Sequence, residues 1–514
     1  MAQEYTTLYV NYSLWLSVLV PALAGVVSGL IGKRVGARVH ATLAVASWIA
    51  ALALLAQPLS LVIGSDSATV IVDAAYAQVP GLGTFSLFLD GVSAALAIAI
   101  VAVSALIAAY SVPYMEHRFH EMGIEGNWGA YFLLYQLFTA GMLGAVLSGN
   151  AILFYLFLEL TLIPSALLIV LYGYGERIRV GLIYIVWTHI GALLFLLGLF
   201  LAKAYDFYIP GAGYVVGVSK WLLPMVLIVI GLGVKSAYAG LHLWLPYAHA
   251  EAPTPVSALL SPLLIGIGGY ALIRAGIGYF PELWISARPL LYVWAVVTMI
   301  YGGFLVLAQR DVKRLFAYSS ISQMGYMLLG LAMANPIGEA GAVLHYVTHA
   351  LGKAILFGVA GVFIVTIGTR RLDDMGGLLS RMPMTGAVAL AGFLLISGLP
   401  PTLGLWSEVY LAFGYVKWGL GLGLGGFVGT AAFVVVGMTL TAIYSFLAFK
   451  NMFLGESGPK AKIADESHAR GLLVPLLLLA VLGVVFFIGV SILAQPALAT
   501  LEAVYTPSAL LSHT

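Results

Sequence analysis

The stretch GLGVKSAYAGLHLWLPYAHAEAPTPVS, residues 231–257, determines how the rest of the chain is interpreted. It begins as an apolar helix that carries Lys235 and His242, and the pattern predicts a break at Pro246, before a proline-rich hinge. Lys235 and His242 are seven residues apart, so on one helix they would share a face. A lysine among apolar residues costs roughly 2.5 to 3.5 kcal/mol to insert into a membrane and usually faces a bundle interior or a water-filled path. The stretch therefore predicts a functional helix, with a lysine that snorkels from a helix end as the alternative.

Composition assigns the chain to the membrane. Hydrophobic residues make up 62% and charged residues 9% of 514 positions, whereas a soluble domain has about 25% charged residues. The segment before Leu14 lacks the basic region of a cleaved signal, so we expect the first apolar run to be a retained span. The absence of cysteine excludes thiolate-ligated zinc and iron–sulfur sites and disulfides. No phosphate-binding loop, metal cluster or nucleophile arrangement stands out, so we expect no cofactor, no redox site and no nucleic-acid partner for this chain.

Apolar runs of about 20 residues, separated by charged or Pro/Gly-rich turns, predict an all-α polytopic membrane protein of about fourteen helices. The predicted helices cover residues 12–31, 38–57, 85–111, 128–149, 150–172, 179–203, 220–244, 254–277, 288–308, 315–333, 338–367, 384–414, 427–449 and 471–495. The interval from Gln57 to Gly83 contains Asp66 and Asp73 and is predicted to be an extramembrane loop.

The basic residues predict an orientation. The odd-numbered connections between spans hold 16 Lys and Arg residues, Lys313 among them, and the even-numbered ones hold five, Arg274 among them. Cytoplasmic connections are enriched in basic residues. We therefore expect the odd-numbered connections in the cytoplasm and, because the number of spans is even, both termini outside it.

Two helices are predicted to be broken, and their positions indicate an internal repeat. Helix 7 is interrupted between Gly240 and Pro246, and helix 12, five spans later, is interrupted by SGLPPTLGLWSE, Ser397 to Glu408. Broken helices at corresponding places in two halves are typical of transporters built from repeats. Helices 4–8 and 9–13 would each contain five spans, an odd number, so the second repeat should be inverted relative to the first. The predicted regions are residues 1–127 with helices 1–3 and the loop, 128–277 and 288–449 with the two repeats, and 450–514 with a loop and helix 14.

Several ionisable side chains lie inside predicted spans. They are Asp90 in helix 3, Glu159 in helix 5, His189 in helix 6, Lys235 and His242 in helix 7, His345, His349 and Lys353 in helix 11, and Glu408 in helix 12. The three in helix 11 are spaced i, i+4, i+8 and form one polar stripe. A lone buried histidine is usually a hydrogen-bonded core residue. Three titratable groups on one face favour a proton wire instead, because histidine takes and gives a proton near neutral pH.

We expect Glu159 and Lys235, which carry opposite charges inside spans of the first half of the chain, to interact as a pair. When the two are close, each stabilises the charged form of the other. Their separation would favour release of the lysine's proton and their approach would favour its return, which moves protons without a cofactor. The alternative is a static ion pair that holds helices 5 and 7 together.

Six motifs resemble those of the antiporter-like membrane subunits of respiratory complex I, energy-converting membrane-bound hydrogenases and multi-subunit cation/proton antiporters. The motifs are FLDGVSA with Asp90, FLELTLIPS with Glu159, VKSAYAGLHLWLPYAHAEAPTPVSALLS with Lys235, DVKRLFAYSSISQMGY from Asp311 to Tyr326, HYVTHALGKAILF with His345, His349 and Lys353, and GLPPTLGLWSE with Glu408. The resemblance covers about Phe85 to Phe446. Each motif alone is short, but together they are specific.

The resemblance implies fourteen helices with two inverted five-helix repeats, helices 4–8 and 9–13, and a proton path through the subunit. The positions that match the family's path are Glu159 of helix 5, Lys235 of helix 7, the central relay of His345, His349 and Lys353, and Glu408 at the end of the path. A carboxylate at that end, together with the AYSSISQMGY segment, makes the chain most similar to subunit M of NADH-quinone oxidoreductase or its hydrogenase counterpart.

One position departs from the family pattern. Many relatives carry a lysine in the middle of helix 8, and the matching stretch SPLLIGIGGYALIR has Gly266 there. The relay from helix 7 to helix 11 therefore needs another link, which we expect His242, His189 or ordered water to supply.

The expected function is proton translocation through a Glu-Lys-His-Lys-Glu relay, in a complex I-like oxidoreductase or an energy-converting hydrogenase of a prokaryotic plasma membrane. The expected partners are other membrane subunits, lipid and H⁺, with Na⁺ as an alternative ion. A subunit of a multi-subunit Na⁺/H⁺ antiporter is the first alternative. A stand-alone inverted-repeat transporter would need a polar cavity at the membrane midplane. A purely structural subunit would leave the charges inside the spans unexplained.

Overall fold

The computed structural model describes residues 6–65, 67–207 and 221–505. The helices are α1 (Ser13–Ile31), α2 (Ala37–Ile63), α3 (Gly91–Glu121), α4 (Trp128–Leu147), α5 (Ala151–Tyr172), α6 (Arg177–Ala202), α7 (Leu222–Lys235), α8 (Trp244–Glu251), α9 (Thr254–Leu259), α10 (Ile265–Ala271), α11 (Pro281–Leu307), α12 (Val312–Ala332), α13 (Pro336–Ile367), α14 (Pro383–Ile396), α15 (Gly404–Gly419), α16 (Gly423–Phe453), α17 (Arg470–Ile488) and α18 (Ser491–Val504). Two π-helical segments, Leu260–Leu264 and Leu272–Ile277, flank α10 and make α9 and α10 part of one span.

Apolar helices dominate the fold. In the described ranges, eleven are long and apolar enough to cross a membrane, and α7, α14 and α18 are shorter apolar helices. This confirms a polytopic, mostly helical membrane protein. Several boundaries differ from the predicted ones. α2 continues to Ile63, so residues 57–63 of the predicted loop are helical, and α11 begins at Pro281 rather than at residue 288. α3 continues to Glu121 rather than ending near residue 111, and predicted helix 14 is two helices, α17 and α18, which are separated at Gly489.

The interval predicted as a loop between helices 2 and 3 contains a small β-structure. The strands are β1 (Thr6–Val10), β2 (Thr69–Asp73), β3 (Ala77–Val79), β4 (Gly83–Phe85) and β5 (Phe88–Leu89). β2 pairs in parallel with β1 and antiparallel with β5, and β3 pairs antiparallel with β4. The segment therefore ties the N-terminal strand to the start of α3.

Asp73, one of the two acids in that interval, caps the start of α1. Its buried carboxylate accepts hydrogen bonds from backbone N–H groups at the start of α1, which have no partner within the helix. The donors are Tyr12 at 3.0 Å, Leu14 at 3.0 Å and Trp15 at 3.3 Å. Asp66, the other acid, lies outside the described residues.

The first broken helix is interrupted earlier than predicted. α7 ends at Lys235 and residues 236–243 are not helical, so Lys235 and His242 share no helix face and that prediction is wrong. The physical reason is the backbone. Ala237 and Gly240 have φ values of 53° and 88°, in the left-handed region that terminates a right-handed helix. Pro246 does not cause the break, because it lies in the first turn of α8, where its missing N–H has no helical partner to lose.

Three tryptophan indoles bond backbone carbonyls at the break, of which the Val234 carbonyl also accepts from Ala237 N. The pairs, at 2.8 to 2.9 Å, are Trp244 Nε1 to the Val234 carbonyl, Trp294 Nε1 to the Ala239 carbonyl and Trp187 Nε1 to the Leu241 carbonyl. Inside a membrane such carbonyls need a partner from protein or water. The irregular segment is therefore held by α6, α8 and α11.

The second broken helix is interrupted within the predicted stretch. α14 ends at Ile396, residues 397–403 are not helical, and α15 begins at Gly404. Gly398 has a φ of 65°, and a Cβ at this position would lie 2.2 Å from Cδ of Glu408, so a larger residue would displace the carboxylate. Broken helices 7 and 12 are confirmed. The inverted relation of the two halves stays a prediction.

Two basic residues assigned to connections lie inside the fold instead. Arg274 is in the π-helical segment after α10 and is 3% exposed, and Lys313 is in α12 and fully buried. Arg274 pairs with Asp90 at 2.6 Å, and Lys313 donates to the Ala252 carbonyl. These tertiary partners offset the cost of burial, and a count of basic residues cannot detect them. Arg118, assigned to an odd-numbered connection, is also buried, near the end of α3. Without these three, the odd-numbered connections still hold 14 basic residues against four, so the predicted orientation is unchanged.

α13 is a central helix of the described fold. It packs against α3, α12, α14, α15 and α17, and it is buried along most of its length. A polar side chain on this helix is therefore surrounded by protein.

Candidate functional site

Lys235 is enclosed at the end of α7. Only 2% of its surface is exposed, and Nζ has no hydrogen-bond partner among the residues that the structure describes. The Glu159 carboxylate acts electrostatically on this side chain, but the two do not form an ion pair. The predicted partners are therefore within electrostatic reach of each other and separated. A buried lysine without a bonded partner is typical of a group that exchanges protons.

Glu159 on α5 is bonded instead by His189 on α6. Nδ1 of His189 lies 3.1 Å from Oε2 of Glu159, and Oε1 has no partner in the described part of the chain. Side-chain exposure is 20% for Glu159 and 44% for His189, so the pair lies at an outer face of the chain. α5 and α6 pack side by side, which brings these two residues together. The structure thus places His189 with the first acid of the predicted path.

The space beside Gly266 is occupied by an aromatic ring from α13. A Cβ at Gly266 would lie 2.4 Å from Cδ2 of Tyr346, so this ring occupies the place where the side chain of a helix-8 lysine would begin. The Tyr346 hydroxyl donates to the Leu263 carbonyl at 3.1 Å. His242, a predicted substitute for that lysine, has its ring against Tyr301 of α11, with centroids 5.4 Å apart. Its Nδ1 is buried and unbonded within the described ranges.

His345, His349 and Lys353 form the predicted stripe on α13, with at most 1% of each exposed. Lys353 Nζ donates to the Phe316 carbonyl at 3.1 Å and to Ser319 Oγ, both on α12. Neither ring nitrogen of His349 has a hydrogen-bond partner among the described residues. A buried polar group without a partner is costly, and such groups inside membranes are usually functional.

His249 was not among the predicted site residues, yet it lies against the stripe. Its buried ring on α8 stacks on Phe357 of α13 with centroids 4.7 Å apart, and both nitrogens lack a partner in the described part of the chain. The charges of Lys313 and Lys353 both act on this imidazole. The prediction missed it because the expected break in helix 7 left His249 outside any span. The small residues beside it, in AHAE, were the available signal of close packing.

Tyr326 connects the stripe to Glu408. Its ring stacks on His345, with centroids 5.1 Å apart and planes within 7° of each other, and its hydroxyl donates to Thr441 at 2.8 Å. The Glu408 carboxylate acts electrostatically on Tyr326. Ser407, the residue before Glu408, has its Oγ 3.4 Å from Nδ1 of His345. Glu408 is therefore next in sequence to a residue that touches the end of the stripe.

Asp90 has the arrangement of a structural acid. Its Oδ1 accepts hydrogen bonds from the backbone N–H groups of Val92 at 3.1 Å and Ser93 at 2.9 Å, and it pairs with Arg274 at 2.6 Å. The Asp90 N–H donates to the Ser93 hydroxyl, which completes a capping box at the start of α3. This geometry is that of a charge that fixes the start of α3 against the segment after α10.

Together these side chains form a set of acid and base groups on the spans, most of them buried and the Glu159 and His189 pair at an outer face. The members are Glu159, His189, Lys235, His242, His249, His349, Lys353, His345 and Glu408. Within the described residues, no group of three or more His, Asp or Glu side chains is placed to hold a metal ion. The chemistry that the side chains themselves offer is proton transfer between neighbouring groups.

Curated relatives match the chain over most of its length. Residues 148–434 match the family described as NADH:quinone oxidoreductase/Mrp antiporter, TM. NADH-quinone oxidoreductase subunit N of Desulforudis audaxviator is 33% identical over 409 residues, which are 75% of this chain and 77% of that protein. Subunit M of Rickettsia prowazekii is 31% identical over 333 residues, which are 63% of this chain and 66% of that protein.

Solved structures share the fold at lower sequence identity. A chain of the Mrp complex from Dietzia sp. DQ12-45-1b has a TM-score of 0.80 at 22% identity and covers 97% of this chain and 99% of its own length. A chain of respiratory complex I from Thermus thermophilus has a TM-score of 0.76 at 24% identity, with 96% and 100% covered. On the sequence matches, the chain belongs to the NADH:quinone oxidoreductase/Mrp antiporter family of membrane subunits.

Proposed function

We propose that this chain is a proton-translocating membrane subunit. The observation that carries the proposal is the set of ionisable side chains that are buried among spans without bonded partners, Lys235, His249 and His349 above all. Such groups are costly in a membrane and mark ion paths and proton relays. By contrast, the buried charges of Asp90 and Arg274 are bonded to each other at 2.6 Å.

In the proposed path, the first half works as a charge switch. Glu159 can approach Lys235 and stabilise its ammonium, or stay bonded to His189 and leave the lysine free to give up its proton. The proton then moves toward α13. His242 or water provides the link past Tyr346, which fills the space beside Gly266.

In the second half, the proton passes along α13. His249, His349 and Lys353 are mutually coupled through their charges, and His345 is in contact with Tyr326 and Ser407 at the other end of the stripe. Glu408 is the terminal group of the path. Imidazoles suit the middle of such a path, because they accept and release protons near neutral pH.

We propose a complex I-like quinone oxidoreductase as the parent assembly, since several relatives that are 31 to 33% identical are named as subunits of NADH- or NAD(P)H-quinone oxidoreductases. Subunits M and N both occur among them, and Glu408 favours the M type. The chain's partners would be neighbouring membrane subunits and lipid, in a prokaryotic plasma membrane with both termini outside the cytoplasm. An energy-converting hydrogenase is an alternative parent. A Na⁺/H⁺ antiporter complex is the other candidate, favoured by the near-complete structural alignment with the Mrp complex chain.

The test is replacement of Glu408 in the reconstituted assembly. Glu408→Gln keeps the shape and the hydrogen bonding of the side chain but cannot carry a proton. We expect ΔpH formation in vesicles to fall by about 10²-fold or more, and Glu408→Asp to retain part of it. The vesicles are energised by the native electron donor or by an imposed ion gradient.

Assembly must be unchanged for the result to count, so the variant subunit is quantified in the purified complex. Full ΔpH formation by assembled Glu408→Gln would show that the path ends elsewhere. Repeating the measurement in Na⁺-free buffer separates the two candidate ions: a ΔpH that requires Na⁺ supports the antiporter, and one that needs only an electron donor supports the oxidoreductase.

A further inference from the structure

A polar cavity of about 400 Å³ lies at one end of the bundle, where α3 and α13 end and the turn between α5 and α6 passes. Its lining includes His117, Tyr174, Glu251 and Arg370. This is the end of the chain that carries the odd-numbered connections, which the basic residues assign to the cytoplasm. The cavity has room for several water molecules and polar groups to bond them.

Three cations surround the Tyr174 ring beside this cavity. The distances to the ring centroid are 3.8 Å for Cζ of Arg118, 5.6 Å for Nζ of Lys313 and 6.0 Å for Cζ of Arg370. Burial raises the pKa of the Tyr174 phenol well above its usual range, so this hydroxyl stays protonated. The lining side chains that can exchange protons at working pH are therefore the His117 imidazole and the carboxylates. Among them, Glu251 comes directly before Ala252, whose carbonyl accepts a hydrogen bond from Lys313.

Both arginines near this ring have partners and are fixed. Arg118 donates to the Tyr172 carbonyl at 3.0 Å and to Glu121 at 2.7 Å, and Arg370 pairs with Asp311 at 2.7 Å. Glu121 and Asp311 are therefore paired as well. Of the two carboxylates that line the cavity, Glu121 and Glu251, Glu251 is the one for which the described residues provide no side-chain partner.

Glu251 is held in place under the turn between α5 and α6. Its Oε2 is buried and unbonded among the described residues, and its backbone carbonyl accepts a hydrogen bond from Tyr174 N at 2.8 Å. A Cβ at Gly175 would lie 2.6 Å from Oε2, so the turn covers the carboxylate closely. One side of Glu251 therefore faces the cavity and the other faces the protein interior.

Lys313 connects this carboxylate to the relay. It is fully buried, and the charges of Glu251, Asp311, Arg370 and Arg118 all act on it. The one hydrogen bond that the structure records for its Nζ goes to the Ala252 carbonyl, directly after Glu251 in the chain. The charge of Lys313 also acts on His249, and so does the charge of Lys353, a residue of the stripe.

We infer that the cavity is a water-filled port through which protons exchange with the relay, with Glu251 taking them up and Lys313 passing them to His249. The inference deepens the proposed function and rests on it. In the inward direction, a hydronium ion in the cavity gives its proton to the Glu251 carboxylate and leaves as water. The carboxylic acid gives the proton to the neutral amine of Lys313, and the resulting ammonium gives it to the His249 imidazole. Each step moves one proton and no electron.

The first experiment replaces the carboxylate in the reconstituted assembly. Glu251→Gln should lower the rate of ΔpH formation by about tenfold or more, because the amide cannot carry a proton. Glu176→Gln is the matched control, since Glu176 lies in the turn that covers Glu251 but is 69% exposed and paired with Arg179 at the surface. We expect no change for the control.

The second experiment blocks the port in a folded protein. The chain contains no cysteine, so His117→Cys introduces the only thiol of this subunit, inside the cavity. Reaction with a sulfonatoethyl methanethiosulfonate should stop ΔpH formation, and a reducing thiol should restore it. His120→Cys is the control, one helical turn on and exposed to solvent, and its reaction should have no effect. The assembly without either substitution is treated in parallel.

Lys353→Met serves as the reference for the proposed function. Loss of ΔpH formation in Lys353→Met with full activity of Glu251→Gln would refute the role of Glu251 and leave the relay intact. Full activity after complete modification of His117→Cys would refute the port. Full activity of Lys353→Met would refute the proposed function itself. A fall in all variants, controls included, would contradict the specific assignment of Glu251.

Discussion

The buried ion pair of Asp90 and Arg274 allows a quantitative prediction of stability. Nη2 of Arg274 lies 2.6 Å from Oδ1 of Asp90, and the two side chains are 2% and 0% exposed. The guanidinium also lies over two aromatic rings, 4.8 Å from the Phe88 centroid and 5.0 Å from the Tyr270 centroid, and Asp90 is the anion bonded to it. Asp90→Asn removes the charge and keeps the size and the helix-capping oxygen, because asparagine caps helices about as well as aspartate.

The cost of that substitution is therefore the cost of leaving one buried charge without its partner, about 3 to 5 kcal/mol. Native domains are stable by only about 5 to 15 kcal/mol, so this is a large fraction. We expect Asp90→Asn to reduce the amount of folded subunit in membranes and to lower its apparent unfolding temperature in detergent. The double variant Asp90→Asn, Arg274→Gln should recover much of the loss, because it leaves two neutral amides that can bond each other.

The assay is thermal unfolding of the solubilised chain, compared between variants at one scan rate. Glu116→Gln is the control, since Glu116 is an exposed acid on the same helix and its loss should change stability by no more than about 0.5 kcal/mol. An Asp90→Asn protein as stable as the parent, or a double variant no better than the single one, would refute the reasoning. A stable, assembled Asp90→Asn that had lost proton translocation would move Asp90 from the structural set into the path.

Two further predictions concern topology and packing. A reporter fused after Thr514 should be detected outside the cytoplasm and one inserted near Pro459 inside it, and the reverse result at both sites would contradict the fourteen-span orientation. Gly266→Ala should destabilise the subunit by about 1 to 3 kcal/mol, because its Cβ would lie 2.4 Å from the Tyr346 ring. Thermal unfolding checks this, and Gly266→Ala combined with Tyr346→Leu should recover part of the loss; no destabilisation would show that the ring moves freely.

Local sequence rules were sufficient to predict that the chain is a membrane protein and that the polar residues of α13 form a stripe. Composition alone requires a membrane, and three polar residues at i, i+4, i+8 must share a face of any helix, whatever its neighbours. The second break was also predictable, because SGLPPT combines a glycine that favours positive φ with prolines that cannot continue a helix.

The features that the sequence did not predict depend on contacts between residues that are far apart in the chain. α7 ends at Lys235 rather than at Pro246 because indoles from α6 and α11, far apart in sequence, bond the carbonyls that an early break exposes. The same holds for Arg274 and Lys313, which are basic residues that look like loop markers until their partners are known. His249 was missed because its burial against the stripe depends on the helix resuming as α8 after the break and packing against Phe357.

The most direct test of the central claim is proton translocation by Lys235→Met in the intact assembly. Methionine keeps an unbranched, flexible apolar stem and removes the charge at the end of α7. We expect a normally assembled complex with ΔpH formation reduced by about 10²-fold or more. We expect no rescue by Lys235→Arg, because arginine does not release its proton at working pH. Normal ΔpH formation by assembled Lys235→Met would contradict the account and leave Lys235 as a structural residue.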